Sequence, residues 1–170
     1  MTATAINTQE PPGARLTQGG GGLGVRADRS LTETNQINNL GDDEAVIFDF
    51  GKAVAFDSIT LGRLALIPDA WAIYGTDADL TGVTSGGLAS LTTGSTLLSA
   101  GASNAHSETI SLSGTFRYLI ATVPAGGSFV AGDGYTVRSL TVSSVPTPLG
   151  AGLLLGAFAL AGLVRRNRAA

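Results

Sequence analysis

The 170-residue chain has no cysteine and a single histidine, His106. Disulfides, thiolate zinc sites and a cysteine nucleophile are therefore excluded, and so are most histidine-based metal centres. Charge is also scarce. Charged residues make up 14% of the chain, with Asp+Glu 13 against Lys+Arg 10, for a net charge of −3. Phosphate recognition needs a basic surface that releases counterions, so nucleic acid is not an expected partner. Aromatics are 6%, with one tryptophan. Residues 1–12 carry no basic stretch, apolar stretch or small-residue cleavage site of a secretory leader. No fixed-period repeat occurs, which argues against a solenoid.

What is present is apolar and rich in small residues: hydrophobic residues are 44% and Gly is 24 of 170. This composition argues against a disordered chain, and the length suits one domain with a core. Alternating, β-branched or aromatic runs occur at Thr2–Asn7, Ala45–Phe50, Ala53–Leu61, Ala70–Tyr74, Thr109–Leu112, Phe116–Val123 and Tyr135–Val142. Gly, Asn and Asp punctuate them, which is the signature of short antiparallel strands. Gly51-Lys52 reads as a turn. The apolar phase slips near Asp57-Ser58, and again between Val137 and Leu140, so a bulge or bend is expected at each. The expected fold is all-β: an antiparallel, jelly-roll-like β-sandwich over residues 1–143, followed by one C-terminal hydrophobic helix. Residues 76–105, low in complexity, read as a surface loop or an edge hairpin.

The chain closes with SVPTPLGAGLLLGAFALAGLVRRNRAA. Leu149–Val164 carries no charge, and as a helix at 1.5 Å per residue it extends about 24 Å, short of the roughly 30 Å hydrocarbon core. Snorkelling of the flanking arginines and local thinning can close that gap. Pro146 and Pro148 mark its upstream edge, since the chain before a proline is extended. Arg165, Arg166 and Arg168 follow, and arginines flanking a span stay on the cytoplasmic side. A transmembrane helix 149–164 with a cytoplasmic C-terminus is therefore expected, with the sandwich outside. Such a domain requires export, so the expectation is that the native N-terminus, with its signal, precedes Met1.

The three parts together, Val145-Pro146-Thr147-Pro148, the apolar span and the terminal arginines, resemble the PEP-CTERM bacterial sorting signals. The commonest form has Glu where this chain has Thr147. The resemblance implies processing by exosortase, a membrane-embedded cysteine transpeptidase. It also implies transit through the bacterial inner membrane to the cell surface or medium, and an association with exopolysaccharide or biofilm matrix. Gly21-Leu23-Gly24-Val25, Gln36-Ile37-Asn38, Asp43-Glu44 and Gly132-Asp133-Gly134-Tyr135 are similar to the ectodomain found beside many such tails, a sandwich of unknown activity.

In the body, chemistry is sparse and no enzyme is expected. Asn35, Asn38, Asn39, Asp42, Asp43 and Glu44 form an acidic, amide-rich cluster. Ca²⁺ takes six to eight oxygens from such irregular loops, so Asn38, Asp42, Asp43 and Glu44 are candidate ligands, with a solvated turn as the alternative. Trp71 and Tyr74 are candidate stacking faces for a glycan, with Tyr118 and Tyr135 the other amphipathic aromatics; a core role competes. A calcium-stabilised carbohydrate-binding sandwich is accordingly the alternative function. A glycan hydrolase or lyase would instead need Asp49 or Asp57 facing Glu108 across a cleft at about 5–9.5 Å. Gly19, Gly21 and Gly24 match G-x-G-x-x-G, yet dinucleotide binding requires a strand before and a helix after. His106, lacking a nucleophile elbow, reads as a surface residue. Gly152 and Gly156 make a G-x-x-x-G that could pair helices.

Overall fold

The computed structural model describes residues 1–7, 14–26, 35–38, 43–64, 68–83, 91–124 and 134–145. Ten strands run through them: β1 (Thr2–Asn7), β2 (Arg15–Gly19), β3 (Gly22–Arg26), β4 (Ile37–Asn38), β5 (Glu44–Gly62), β6 (Asp69–Thr76), β7 (Thr96–Ser103), β8 (Ser107–Ser111), β9 (Thr115–Thr122) and β10 (Gly134–Ser144). Every pairing is antiparallel. Each run expected to be a strand forms one, apart from end residues such as Leu112 and Val123.

The long strand β5 belongs to both layers of the sandwich. Its first half, Glu44 to Asp49, pairs with β1 on one side and β9 on the other, and β9 leads to β6 and the edge strand β7. Its second half pairs with β8 and β10, and β10 leads to β3 and β2. Gly51-Lys52 is thus not a turn, as the sequence suggested. Phe50 to Ala53 stand opposite the single residue Arg117 of β9, so the chain bends at a wide bulge without reversing. Gly51 takes φ +72, and its N–H donates to Asp49 Oδ1 at 2.7 Å. A side chain rarely adopts that φ, which is why glycine occupies the corner. Phe50 and Phe56 brace the bend edge to face, centroids 5.5 Å apart. The two expected phase slips are real. Asp57 is skipped in the β5–β10 register, and so is Arg138.

One cluster fills the space between the layers. Val46, Phe48, Ile73, Leu119 and Ala121 from the first layer meet Val25, Ile59, Leu61, Tyr135 and Val137 from the second. Burying each large side chain stabilises the fold by roughly 1.5–3 kcal/mol before entropic costs. The alternate residues of the first layer, Ile6, Ala45, Ile47, Tyr74, Tyr118 and Ile120, pack beneath Leu80, Val83 and Leu91. Segment 76–105 therefore supplies both the edge strand β7 and an apolar cover for the first layer's outer face. Among the described residues no helix is long and apolar enough to cross a membrane. The expected span 149–164 lies outside the described residues, as do Pro146, Thr147, Pro148, Arg165, Arg166 and Arg168.

Candidate functional site

Trp71 is 5% exposed, and its ring lies across Gly101, its cross-strand partner on β7. Its indole N–H donates to Ser99 Oγ at 3.4 Å. At that exposure Trp71 leaves little ring surface for a sugar and packs in the core. Tyr74 is half-buried against the apolar cover. Tyr118 and Tyr135 are buried. Burial pushes the Tyr135 phenol well above its ordinary pKa, so it stays a neutral donor, and it donates to Thr122 O at 2.8 Å.

The candidate calcium ligands meet a different demand. Glu44 is 2% exposed and its Oε2 accepts the Asn38 N–H at 3.0 Å. Asp43 is half-buried, and Asp42 and Asn39 lie outside the described residues. Among the described residues no three Asp, Glu or His side chains converge as a metal would require. Glu44 joins a buried seam instead: Thr122 Oγ1 donates to Glu44 O at 2.8 Å, and Gly134 N donates to the buried Asp69 Oδ1 at 3.0 Å. Satisfying these groups removes the desolvation cost they would otherwise carry.

The carboxylates considered for hydrolysis are apart. Asp49 forms a two-pronged ion pair with Arg117, Nε to Oδ1 at 3.0 Å and Nη2 to Oδ2 at 2.9 Å. Asp57 Oδ2 accepts Ser143 Oγ at 2.6 Å. Glu108 pairs opposite Leu61, which lies about 13 Å along β5 from Asp57. Glu108 does not line the cleft beside Asp49. His106 is exposed, as expected.

Two polar surfaces remain. The first surrounds Arg117 on the outer face of the first layer. Its guanidinium sits 4.6 Å from the Tyr118 ring centroid, and Tyr118 OH donates to Asp79 Oδ1 at 3.0 Å. Asp79 Oδ1 also accepts the Thr81 N–H at 3.0 Å and the Thr81 hydroxyl at 2.6 Å. These bonds favour the ionised forms. Arg117 and the Gly51 N–H hold Asp49 below the usual aspartate range, and Thr81 with Tyr118 holds Asp79 below it. Beside this cluster is a cleft of about 290 Å³ between Thr4, Asp49, Tyr118 and the 80–83 segment.

The second surface is built by glycines. Gly19 and Gly22 close the β2–β3 hairpin, so the G-x-G-x-x-G residues join two antiparallel strands and not a strand to a helix, which removes the dinucleotide reading. A Cβ at Gly21 would strike the Arg63 stem, and one at Gly24 would strike the Asn35 carbonyl oxygen, so both neighbours lie directly on the hairpin. Asn35 and Arg63 are the only described non-glycine residues with positive φ, at 53° and 59°. Gln36 Nε2 holds the Arg63 carbonyl at 3.0 Å and the Gly134 carbonyl at 2.9 Å. Thr136 Oγ1 donates to Gly21 O at 2.5 Å. The result is an open cleft of about 380 Å³ whose wall includes Thr17, Gln18, Asn35 and Arg63. Thr17 Oγ1 is buried there and is the one described buried side-chain polar atom without a hydrogen-bond partner. Sequence reasoning passed over Arg63 and Thr17; the glycine run was the only local signal of the close approach.

No family model matches the chain, and no curated protein does. Among solved structures it is similar to the C-terminal domain of a chitobiase from Bacteroides fragilis, with 17% identity and a TM-score of 0.39 over 61% of this chain and 66% of that one, just under two thirds of its length. It is also similar to the family 32 CBM of C. perfringens NanJ, solved in complex with galactose, with 15% identity and a TM-score of 0.38 over 83% of this chain and 98% of that one.

Proposed function

We propose that this chain is a non-catalytic bacterial envelope or extracellular-matrix protein, exported as a β-sandwich and sorted through its C-terminal tail by an exosortase-type enzyme. One observation carries the reading. Strand β10 ends at Ser144, and Val145, the first residue of the Val-Pro-Thr-Pro motif, is 42% exposed. The sandwich thus hands the chain over at its surface, where a processing enzyme can reach it. The short apolar span then holds the protein in the inner membrane with the arginines inside, until the proline motif is read. Cutting there would free the domain to the surface or medium.

Replacing Pro146 and Pro148 with Ala in the producing cell tests this. The variant is expected to accumulate in the inner membrane while the parent leaves it; equal release of both overturns the proposal. A saccharide-binding sandwich is the second reading. It is favoured by the open glycine-built cleft and not by Trp71, and it supplies the non-catalytic role in a polysaccharide matrix.

A further inference from the structure

We infer that the corner of β5 is a lipid-docking surface: Gly51-Lys52-Ala53, flanked by Met1 and Val145, lies on the outer headgroup layer of the bilayer that holds the tail. This docking presupposes the membrane-spanning tail proposed above. Chain length forces the approach. Only four peptide units separate Val145 from Leu149, where the apolar span starts, and whatever their conformation they extend at most about 14 Å. The polar layer outside the hydrocarbon core takes up about 5–8 Å of that reach. Less than about 10 Å is left between the end of β10 and the lipid surface. Register sets what meets the lipid. Ser144 pairs with Val54, so Val145 lies beside Ala53; Thr2 pairs with Asp49, so Met1 lies beside Phe50. With β9 on the other side, β10 and β1 arrive end to end on one side of β5, and the bend lies between them. Gly51, Lys52 and Ala53 are exposed. Met1 and Val145 are 77% and 42% exposed, two of the four large apolar side chains left exposed among the described residues.

Lys52 is the only lysine in the chain. The charges near it are already matched: Arg117 pairs with Asp49, and Asp77 Oδ1 accepts the Arg117 N–H at 2.8 Å. Lys52 has no such partner among the described residues. Its stem can lie along apolar lipid while the ammonium reaches a lipid phosphate, with Met1 and Val145 entering the interface beside it. A contact of this kind is weak in solution, but the tail makes it intramolecular, at high effective concentration. Docking by the corner also sets which way the sandwich faces. Gly62, where Gly21, Thr136 and Arg138 gather, lies nine residues along β5 from Ala53, roughly 30 Å. The glycine-built cleft thus lies far from the lipid, where a matrix saccharide can reach it.

A chain without cysteine allows a clean test. Full-length Ala53→Cys and His106→Cys proteins, each carrying one environment-sensitive fluorophore, are placed in nanodiscs of phosphatidylcholine and phosphatidylglycerol with a spin quencher attached to the headgroups. Both positions are exposed, so the fold is not at stake. His106 precedes Ser107, the partner of Gly62, and serves as the distant control. Quenching is expected at position 53 and not at 106. Lys52→Glu added to Ala53→Cys should lower the docked-to-free ratio about fivefold, the effect of one cation near an anionic surface. Quenching that is absent at 53, equal at both positions, or unchanged by Lys52→Glu overturns the inference. Retention by the discs is measured first. A chain they do not retain overturns the membrane-span reading and the docking with it, whereas a retained chain unquenched at 53 overturns the docking alone.

Discussion

The two polar surfaces are built on opposite principles. Around Arg117 the charged groups are hydrogen-bonded: Asp49 takes the guanidinium in both prongs, and Asp79 accepts the Thr81 and Tyr118 hydroxyls. That surface spans the wide bulge of β5 and serves the fold, because Arg117 is the residue opposite the looped-out Phe50–Ala53. The β2–β3 hairpin instead gathers two left-handed non-glycine residues and a buried hydroxyl without a partner. Local strain and incomplete pairing persist where something other than stability is being served. The lesson is that the satisfied cluster, although richer in titratable groups, is the weaker candidate for binding.

Substitutions can break this contrast, and the largest effect belongs to the hairpin. Gly24→Ala drives a methyl group onto the Asn35 carbonyl, a backbone atom unable to swing aside, and should cost about 1–3 kcal/mol of unfolding free energy in urea titrations. Tyr135→Phe leaves the buried Thr122 carbonyl without its donor and should cost about 1–2 kcal/mol by the same measurement. Arg63→Gly should act in the opposite direction, stabilising the fold by up to about 1 kcal/mol through relief of the left-handed backbone. A destabilised Arg63→Gly would mean that the Arg63 side chain contributes more than its left-handed backbone costs.

The smallest effect is expected at the exposed ion pair, and it depends on pH. Asp49 and Asp79 have pKa values below the ordinary aspartate value in the folded protein. Their contribution is therefore complete above the unfolded value and is lost as pH falls through the folded ones, that is, below about pH 4. Asp49→Asn should barely move the thermal midpoint at pH 7 and should flatten its decline in acid. An equal loss at both pH values would mean that the pair carries structural strain.

Much of the fold was legible because period-two alternation is a local property. The strands, and the slips at Asp57 and Arg138, follow from which residues are apolar and where that alternation breaks. Gly51-Lys52 misled because a glycine at positive φ serves a reversing turn and a corner bulge alike; only pairing with β9 on both sides of it distinguishes them. Leu80, Val83 and Leu91 were hidden by the small residues around them, so the covered outer face of the first layer went unread. Trp71 could not be placed by type alone, since its burial depends on Gly101 thirty residues away. The cleft was the least legible feature, because Thr17, Asn35, Arg63 and Thr136 meet only through tertiary approach. Of the calcium candidates, Glu44 turns inward to the Asn38 N–H, while Asp42 lies outside the described residues.

The central claim, that the sandwich is delivered outside and released by cutting its tail, is tested most directly by the intact mass of the protein recovered from the medium or surface of the producing cells. The account predicts a C-terminus ending near Val145–Pro148, with Arg165, Arg166 and Arg168 absent. Recovery of the chain with its terminal Arg-Asn-Arg-Ala-Ala still attached would contradict it.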